Sequence, residues 1–171
     1  MKVCYLGGPV DFTEDNGRDW REDFKRFAKE QGSSMSFYDP PAAFSFTEPN
    51  NSIASFLFEV NMVALRKCGI MLVRWDKRVP SVGTPIEIYE AFRAYVPVVM
   101  VTNLQESLTI RHFAHQRTNA GFEILGLDTP DKVVLDTLCG MYDSTIRKAE
   151  KLDMSPADRD ALFPSSGVED A

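Results

Sequence analysis

The sequence has few cations for a protein that binds the phosphate backbone of nucleic acids. Its 171 residues include 19 Lys and Arg against 25 Asp and Glu, which gives a net charge of -6. Binding to nucleic acid needs clustered cations, and the densest run here, VRWDKRV, is short and mixed in sign. We therefore expect no nucleic acid among the partners, whereas a few local cations would suffice for a small anionic ligand.

Cysteine, histidine and long apolar runs are also scarce. The three cysteines, Cys4, Cys68 and Cys139, include no CxxC pair, which indicates reduced thiols in a cytoplasmic protein. Two histidines, His112 and His115, are too few to predict a metal site. No stretch approaches the roughly 20 apolar residues of a membrane span, and the N-terminus does not resemble a signal peptide. These absences predict a cytoplasmic protein with no metal, no cofactor and no membrane partner.

Short apolar strands alternate with amphipathic helices along the chain. This order predicts an α/β fold of three α/β/α layers, with a mostly parallel five-stranded sheet of the flavodoxin or Rossmann type. We assign one domain to residues 1–152 and a polar tail to residues 153–171. Strands are predicted at 2–8, 35–41, 69–75, 96–102 and 121–127, and helices at 17–31, 52–68, 84–95, 104–115 and 129–152.

Parallel sheets bind ligands at the carboxyl ends of their strands, which marks three loops of this chain. They follow the first strand, the second strand and the third strand. Residues 41–51 form a longer segment, which we expect to line or cover the site. The candidate binding residues in the three loops are Gly7, Gly8, Pro9, Asp39, Trp75, Asp76, Ser81 and Gly83.

The stretch SVGTPIEIYEAF, residues 81–92, allows two interpretations of Glu87. In the first, Thr84 is the N-cap of a helix, Pro85 its first residue and Glu87 its third, which makes a T-x-x-E capping box. In the second, the same first-turn carboxylate lies at the ligand-binding edge, where the helix N-terminus favours its ionised form. A fixed carboxylate of this kind can attack an electrophilic sugar carbon. Local sequence does not decide between the two.

Five motifs, in order, resemble those of the nucleoside 2-deoxyribosyltransferase family. They are YLGGP, GRDWRED, YDP, the helix that leads into CGIMLV, and SVGTPIEIYEA. The resemblance covers roughly the first hundred residues, and its last motif is the most specific. It implies an enzyme that moves the deoxyribosyl group of a 2′-deoxynucleoside from one base to another through a covalent glycosyl-enzyme.

The resemblance also implies roles for individual residues. Glu87 matches the nucleophile of the family, and Tyr5 matches the aromatic residue beside it. Gly7 and Gly8 match the turn under the ligand, and Ser81 matches a polar residue near the sugar or phosphate.

Two further roles concern the phosphate and the base. Arg18, early in the first helix, could reach a 5′-phosphate, as a cation does in nucleotide-hydrolysing relatives. Trp75, or the pair Phe44 and Phe46, could stack on a base. The simpler interpretation of Arg18 is a solvated cation, and that of Phe44 and Phe46 is ordinary loop packing.

Two positions depart from the family pattern. Asn61 stands where the family has an Asp that contacts the sugar and assists proton transfer to the leaving base, and an amide is not a general acid at neutral pH. Tyr89 replaces a glycine two residues after Glu87. The alternative acids are Asp39, Asp76 and Glu59.

Three activities are compatible with the resemblance, and a transferase is our first expectation. A 2′-deoxynucleoside 5′-monophosphate N-glycosidase would pass the sugar to water instead of a base, and a non-catalytic relative would only bind the nucleotide. The implied partners are a small deoxynucleoside or deoxynucleotide and a free base. Because relatives complete each other's sites, the resemblance also implies a homo-oligomer, dimeric or larger.

Overall fold

The computed structural model describes residues 2–10, 13–43, 51–116 and 121–151. The predicted tail, most of the 41–51 segment, and Phe44 and Phe46 lie outside these ranges.

Five strands form one sheet in which every neighbouring pair is parallel, in the order β2-β1-β3-β4-β5. The inner strands IMLVRW and VVMVT contain continuous apolar runs, as expected for strands that helices cover on both faces. The predicted fold class is confirmed, and the sheet is wholly parallel. The strands are β1 (Lys2–Gly7), β2 (Met35–Tyr38), β3 (Ile70–Trp75), β4 (Val98–Thr102) and β5 (Phe122–Leu125).

Helices in the described ranges connect the strands and cover the sheet. They are α1 (Arg18–Glu30), α2 (Pro40–Ala43), α3 (Asn51–Lys67), α4 (Gly83–Arg93), α5 (Leu108–Gln116) and α6 (Asp131–Lys151). None of these helices is long and apolar enough to span a membrane.

The two faces of the sheet bury separate cores, and β1 contributes to both. Leu6 packs with Phe24 of α1 in one core. Tyr5 belongs to the other core, together with Ile88 of α4. Because side chains alternate along a strand, this register places Tyr5 on the face that α4 covers.

Several predicted boundaries were wrong. The second strand, predicted at 35–41, ends at Tyr38. The helix predicted from residue 104 begins at Leu108, because the preceding residues form a turn in which the Ser107 amide donates to the Leu104 carbonyl at 2.9 Å. The segment predicted as a loop from residue 41 begins inside α2. There the amides of Ala42 and Ala43 donate to the Asp39 carbonyl, and Pro40 starts the helix without needing a donor of its own.

All three cysteines are free, and Cys4 and Cys68 are buried. Burial raises the pKa of the Cys68 thiol to about 12. Both buried thiols therefore act as small apolar groups of the core.

Candidate active site

A buried tyrosine and a half-buried glutamate meet at the carboxyl end of β1. The Tyr5 hydroxyl donates a hydrogen bond of 2.6 Å to Oε1 of Glu87, although the two residues lie 82 positions apart. The second carboxylate oxygen lies beside Gly7, where an added Cβ would come within 3.3 Å of Oε2. The same Cβ would collide with the Met71 methyl group, so glycine at this position leaves room for both Met71 and the Glu87 carboxylate.

Glu87 does not cap its helix, so the predicted capping box was wrong. Helix α4 begins at Gly83 and has no acidic residue in its first turn, which places Glu87 one turn further on. The Ser81 hydroxyl accepts the Thr84 amide at 3.2 Å and donates to the Thr84 hydroxyl at 2.7 Å. Glu87 lies beyond the first turn of α4, so the prediction that it is a first-turn carboxylate was wrong. The predicted contact of Ser81 with a substrate stays a prediction.

Tyr5 is a hydrogen-bond donor that holds its proton. Burial is the main cause that raises the pKa of Tyr5 well above its ordinary value, and the charge of Glu87 and their hydrogen bond add to it. A phenol of this kind can orient a carboxylate and stabilise its negative charge.

Tyr38 connects Asn61 to this pair. The Tyr38 ring stacks on Tyr5 with centroids 5.5 Å apart, because the register of β1 and β2 sets the two residues side by side. The Tyr38 hydroxyl donates to Oδ1 of Asn61 at 3.0 Å. The structure thus joins Asn61, Tyr38, Tyr5 and Glu87 in one chain of contacts.

Arg21, in the GRDWRED motif, is a buried cation to which the sequence pattern gave no role. It is 1% exposed and donates to three backbone carbonyls: Nε to Leu6 at 3.3 Å, Nη2 to Gly8 at 3.0 Å, and Nη1 to Gly17. Burial lowers the pKa of Arg21, and the charges of Asp39 and Glu87 oppose that shift.

One sequence signal could have identified Arg21. With Phe24 and Ala28 it forms the buried stripe of α1, at the spacing of a helix face. A cation on such a stripe needs partners in the interior.

Asp39 lies beside Arg21. Its side chain is 6% exposed, with Oδ2 2.6 Å from Nζ of Lys25 and Oδ1 3.7 Å from Nε of Arg21. Oδ1 makes no hydrogen bond within the described ranges. Asp39 is thus the counter-ion of two cations, and its predicted contact with a substrate stays a prediction.

Asp76 and Trp75 make contacts within their own loop. Arg78 donates to the Asp76 carboxylate, and these hydrogen bonds lower the pKa of Asp76, so it is not positioned to deliver a proton at neutral pH. The Trp75 indole N–H donates to the Val79 carbonyl at 2.9 Å. The predicted contacts of both residues with a ligand stay predictions.

Four more predicted residues have defined places. Gly8 has a φ of 150°, and an added Cβ would lie 2.6 Å from the Arg74 carbonyl oxygen, so only glycine fits. Pro9 is buried, Arg18 is exposed at the first residue of α1, and Glu59 is exposed on α3. The roles of Arg18 and Glu59 stay predictions.

Tyr89, the second departure, contacts an aromatic residue of the next helix. Its ring is half-exposed and lies against Phe113 of α5, with centroids 6.4 Å apart.

These features define an α/β protein with one parallel sheet and a Tyr–Glu pair at the carboxyl edge of an inner strand. The sequence matches no family model and no curated protein. Solved structures do share the fold. The structure of a 2-deoxyribosyltransferase from Bacillus psychrosaccharolyticus superposes with a TM-score of 0.57 at 13% identity, over 78% of this chain and 90% of that one.

Two further structures show the same likeness. A conserved protein from Enterococcus faecalis V583 gives a TM-score of 0.54 at 15% identity, over 82% of this chain and 98% of that one. A protein described as an adenylate cyclase from Rhodopirellula baltica gives 0.52 at 15% identity, over 90% and 98%. At such identities the likeness shows a common fold, and a fold hosts many activities.

Proposed function

We propose that this protein cleaves the N-glycosidic bond of a 2′-deoxynucleoside and passes the deoxyribosyl group to another base, with Glu87 as the nucleophile. The observation that carries the proposal is the 2.6 Å hydrogen bond from the buried Tyr5 to Glu87. It holds a carboxylate at the edge of the sheet where parallel α/β folds bind ligands. The ordered motifs and the likeness to a 2-deoxyribosyltransferase structure support the same activity.

In the proposed reaction the Glu87 carboxylate, held by Tyr5, is the nucleophile. Oε1 accepts the Tyr5 hydrogen bond, Oε2 lies beside Gly7, and in the proposed first step the carboxylate attacks C1′. The C1′–N bond breaks, its electron pair leaves with the base, and the base takes a proton from water. In the second step a nitrogen of the acceptor base attacks C1′, loses its proton to water, and releases the Glu87 carboxylate. Tyr5 stabilises the charge that returns to the carboxylate.

Asn61 supports binding rather than proton transfer in this scheme. Its amide is linked to Glu87 through Tyr38 and Tyr5, and an amide can hold a hydroxyl group or a base edge by hydrogen bonds. We propose that it contacts the sugar or the leaving base.

A chromatographic assay tests the proposal. The protein is incubated with each 2′-deoxynucleoside and each 5′-monophosphate, with and without a second free base. New nucleoside that forms only with the acceptor base establishes the transferase, whereas free base without exchange establishes an N-glycosidase. Binding without turnover on any of these compounds would overturn the proposal in favour of a non-catalytic nucleotide-binding protein.

Tyr5→Phe is expected to lower kcat by about 10- to 100-fold with a small change in KM. The change removes one hydrogen bond to a charged group, which contributes about 1.5–3 kcal/mol, and keeps the ring that stacks on Tyr38. Steady-state rates of base release measure it. Tyr142→Phe, on the opposite face of the sheet, is the control and should keep kcat. An unchanged kcat in Tyr5→Phe would mean that the hydrogen bond plays no part in turnover.

Gly83→Ala tests whether a ligand approaches the start of α4. An added Cβ there meets no protein atom within 4 Å, so the fold should tolerate alanine and gain about 0.4–1 kcal/mol from the unfolded state. A substrate against this backbone would meet the methyl group. We expect KM to rise at least about tenfold, which is near the lower end of the effect that one methylene group has in a binding pocket.

Gly140→Ala is the matched control for this variant. Gly140 also lies in a helix, and its added Cβ likewise meets no atom within 4 Å. Kinetic and thermal measurements should show stabilisation in both variants and a raised KM in Gly83→Ala alone. Equal KM values would place the ligand away from Gly83.

A further inference from the structure

One buried guanidinium holds the backbone on both sides of Gly7. Nε of Arg21 binds the carbonyl of Leu6, and Nη2 binds the carbonyl of Gly8. Gly7 lies between them in sequence and is the residue beside which Oε2 of Glu87 rests. Because the guanidinium is planar and rigid, it fixes the two carbonyls relative to each other.

The same guanidinium also closes the loop between β1 and α1. Its Nη1 binds the carbonyl of Gly17, the residue immediately before α1. Gly17 has a φ of 66°, and an added Cβ there would collide with the guanidinium and with the Pro9 carbonyl. The loop is therefore built around Arg21. The three carbonyls bind three different nitrogens of the guanidinium, whereas the donors of an ammonium group all lie on one nitrogen.

We propose that Arg21 is a positioning residue of the Glu87 site: it fixes the backbone against which the carboxylate rests, and its positive charge favours the ionised form of Glu87. This inference rests on the proposed function for its kinetic part. Its electrostatic part concerns the unliganded protein and can be tested without turnover.

Charges around the site agree with this role. Arg21 interacts electrostatically with both Glu87 and Asp39, and Lys25 pairs with the far oxygen of Asp39. Tyr5 on β1 also interacts with Glu87, as a hydrogen-bond donor. From β3, apolar Met71 lies against Gly7.

Two substitutions separate the effect of the guanidinium hydrogen bonds from the effect of the positive charge. Arg21→Lys keeps a positive charge and loses the bridging of three carbonyls, so we expect kcat to fall about 10- to 100-fold while the acid limb of kcat/KM stays in place. Arg21→Met removes both features. A nearby cation favours the ionised carboxylate, so without it Glu87 binds its proton at higher pH, and the acid limb should move up by about one pH unit.

Two measurements follow each variant, with Arg26→Met as the control. Arg26 lies on the same helix but pairs with Asp23 at the exposed surface. Arg26→Met should therefore change neither the pH profile of turnover nor the titration midpoint of Glu87. One measurement is the pH profile of kcat and KM. The other is a carbon-13 NMR titration of the Glu87 carboxyl group, assigned by its loss in Glu87→Gln, in protein without substrate.

The outcomes distinguish the two proposals. A titration midpoint raised in Arg21→Met but not in Arg26→Met supports the inference, even if the unmodified protein releases no base and the proposed function fails. A lowered thermal midpoint together with an unmoved titration midpoint and unchanged kcat would reduce Arg21 to a structural residue and overturn the inference. If Arg21→Met does not fold, Arg21→Gln removes the charge and keeps two N–H donors, and the same criteria apply.

Discussion

Replacing Glu87 with Gln is expected to abolish base release and base exchange, with kcat falling at least about 1,000-fold. The amide is nearly isosteric with the carboxylate, and its oxygen can still accept the Tyr5 hydrogen bond. An amide oxygen is a poor nucleophile towards C1′, however, so the covalent step fails while the site keeps its shape. The chromatographic assay measures the loss, and a thermal unfolding midpoint within a few degrees of the unmodified protein shows that the fold is intact.

Glu90→Gln is the matched control for this variant. Glu90 lies on the same helix three residues further on, and its carboxylate pairs with Arg66 at 2.5 Å. Its replacement removes an equal charge from α4 and should leave kcat within about twofold, as expected for a charge that is paired elsewhere. Turnover by Glu87→Gln within tenfold of the unmodified protein would remove Glu87 from the role of nucleophile.

Replacing Asp39 with Asn is expected to destabilise the protein by about 3 kcal/mol, the usual effect of removing one partner from a buried ion pair. The Asp39 and Arg21 side chains are 6% and 1% exposed, so water cannot reach Arg21 and solvate its positive charge when the negative charge of Asp39 is removed. Arg21 would stay buried without its counter-ion, and Lys25 would lose its partner at 2.6 Å. Chemical denaturation measures the free energy of unfolding, and the thermal midpoint should fall by roughly 6–12 °C.

The exposed pair on α1 provides the comparison. Asp23 and Arg26 are 61% and 66% exposed, and Asp23→Asn should change the free energy of unfolding by less than about 0.5 kcal/mol. If the two variants lose equal stability, then Asp39 is not the counter-ion that the buried cluster requires.

The order of strands and helices could be predicted because its causes are local. Apolar runs such as GIMLVRW and helical stripes such as Trp20, Phe24 and Phe27 each lie within one element. Parallel pairing then follows from the alternation of strands and helices. The helix boundaries were harder to predict, since Ser81 and Thr84 are both good N-caps and only the structure shows that Ser81 makes the bond.

The candidate site was only partly predictable. Motif order alone singled out Glu87 and Tyr5. Tyr38 lies beside Tyr5 because β2 pairs with β1, and pairing partners are not encoded in any short segment. Arg21 was missed because its three carbonyl partners lie outside its own helix.

The sequence by itself determined the fold class and pointed to one carboxylate and one tyrosine. Only the tertiary structure decided that Glu87 is held by Tyr5 rather than used as a helix cap, and that a buried guanidinium holds the backbone beside it. The physical reason is the distance along the sequence over which each kind of interaction acts. Helix periodicity and capping act over a few residues, whereas a buried polar group must find partners wherever the fold brings them, and Tyr5 finds its partner 82 residues away.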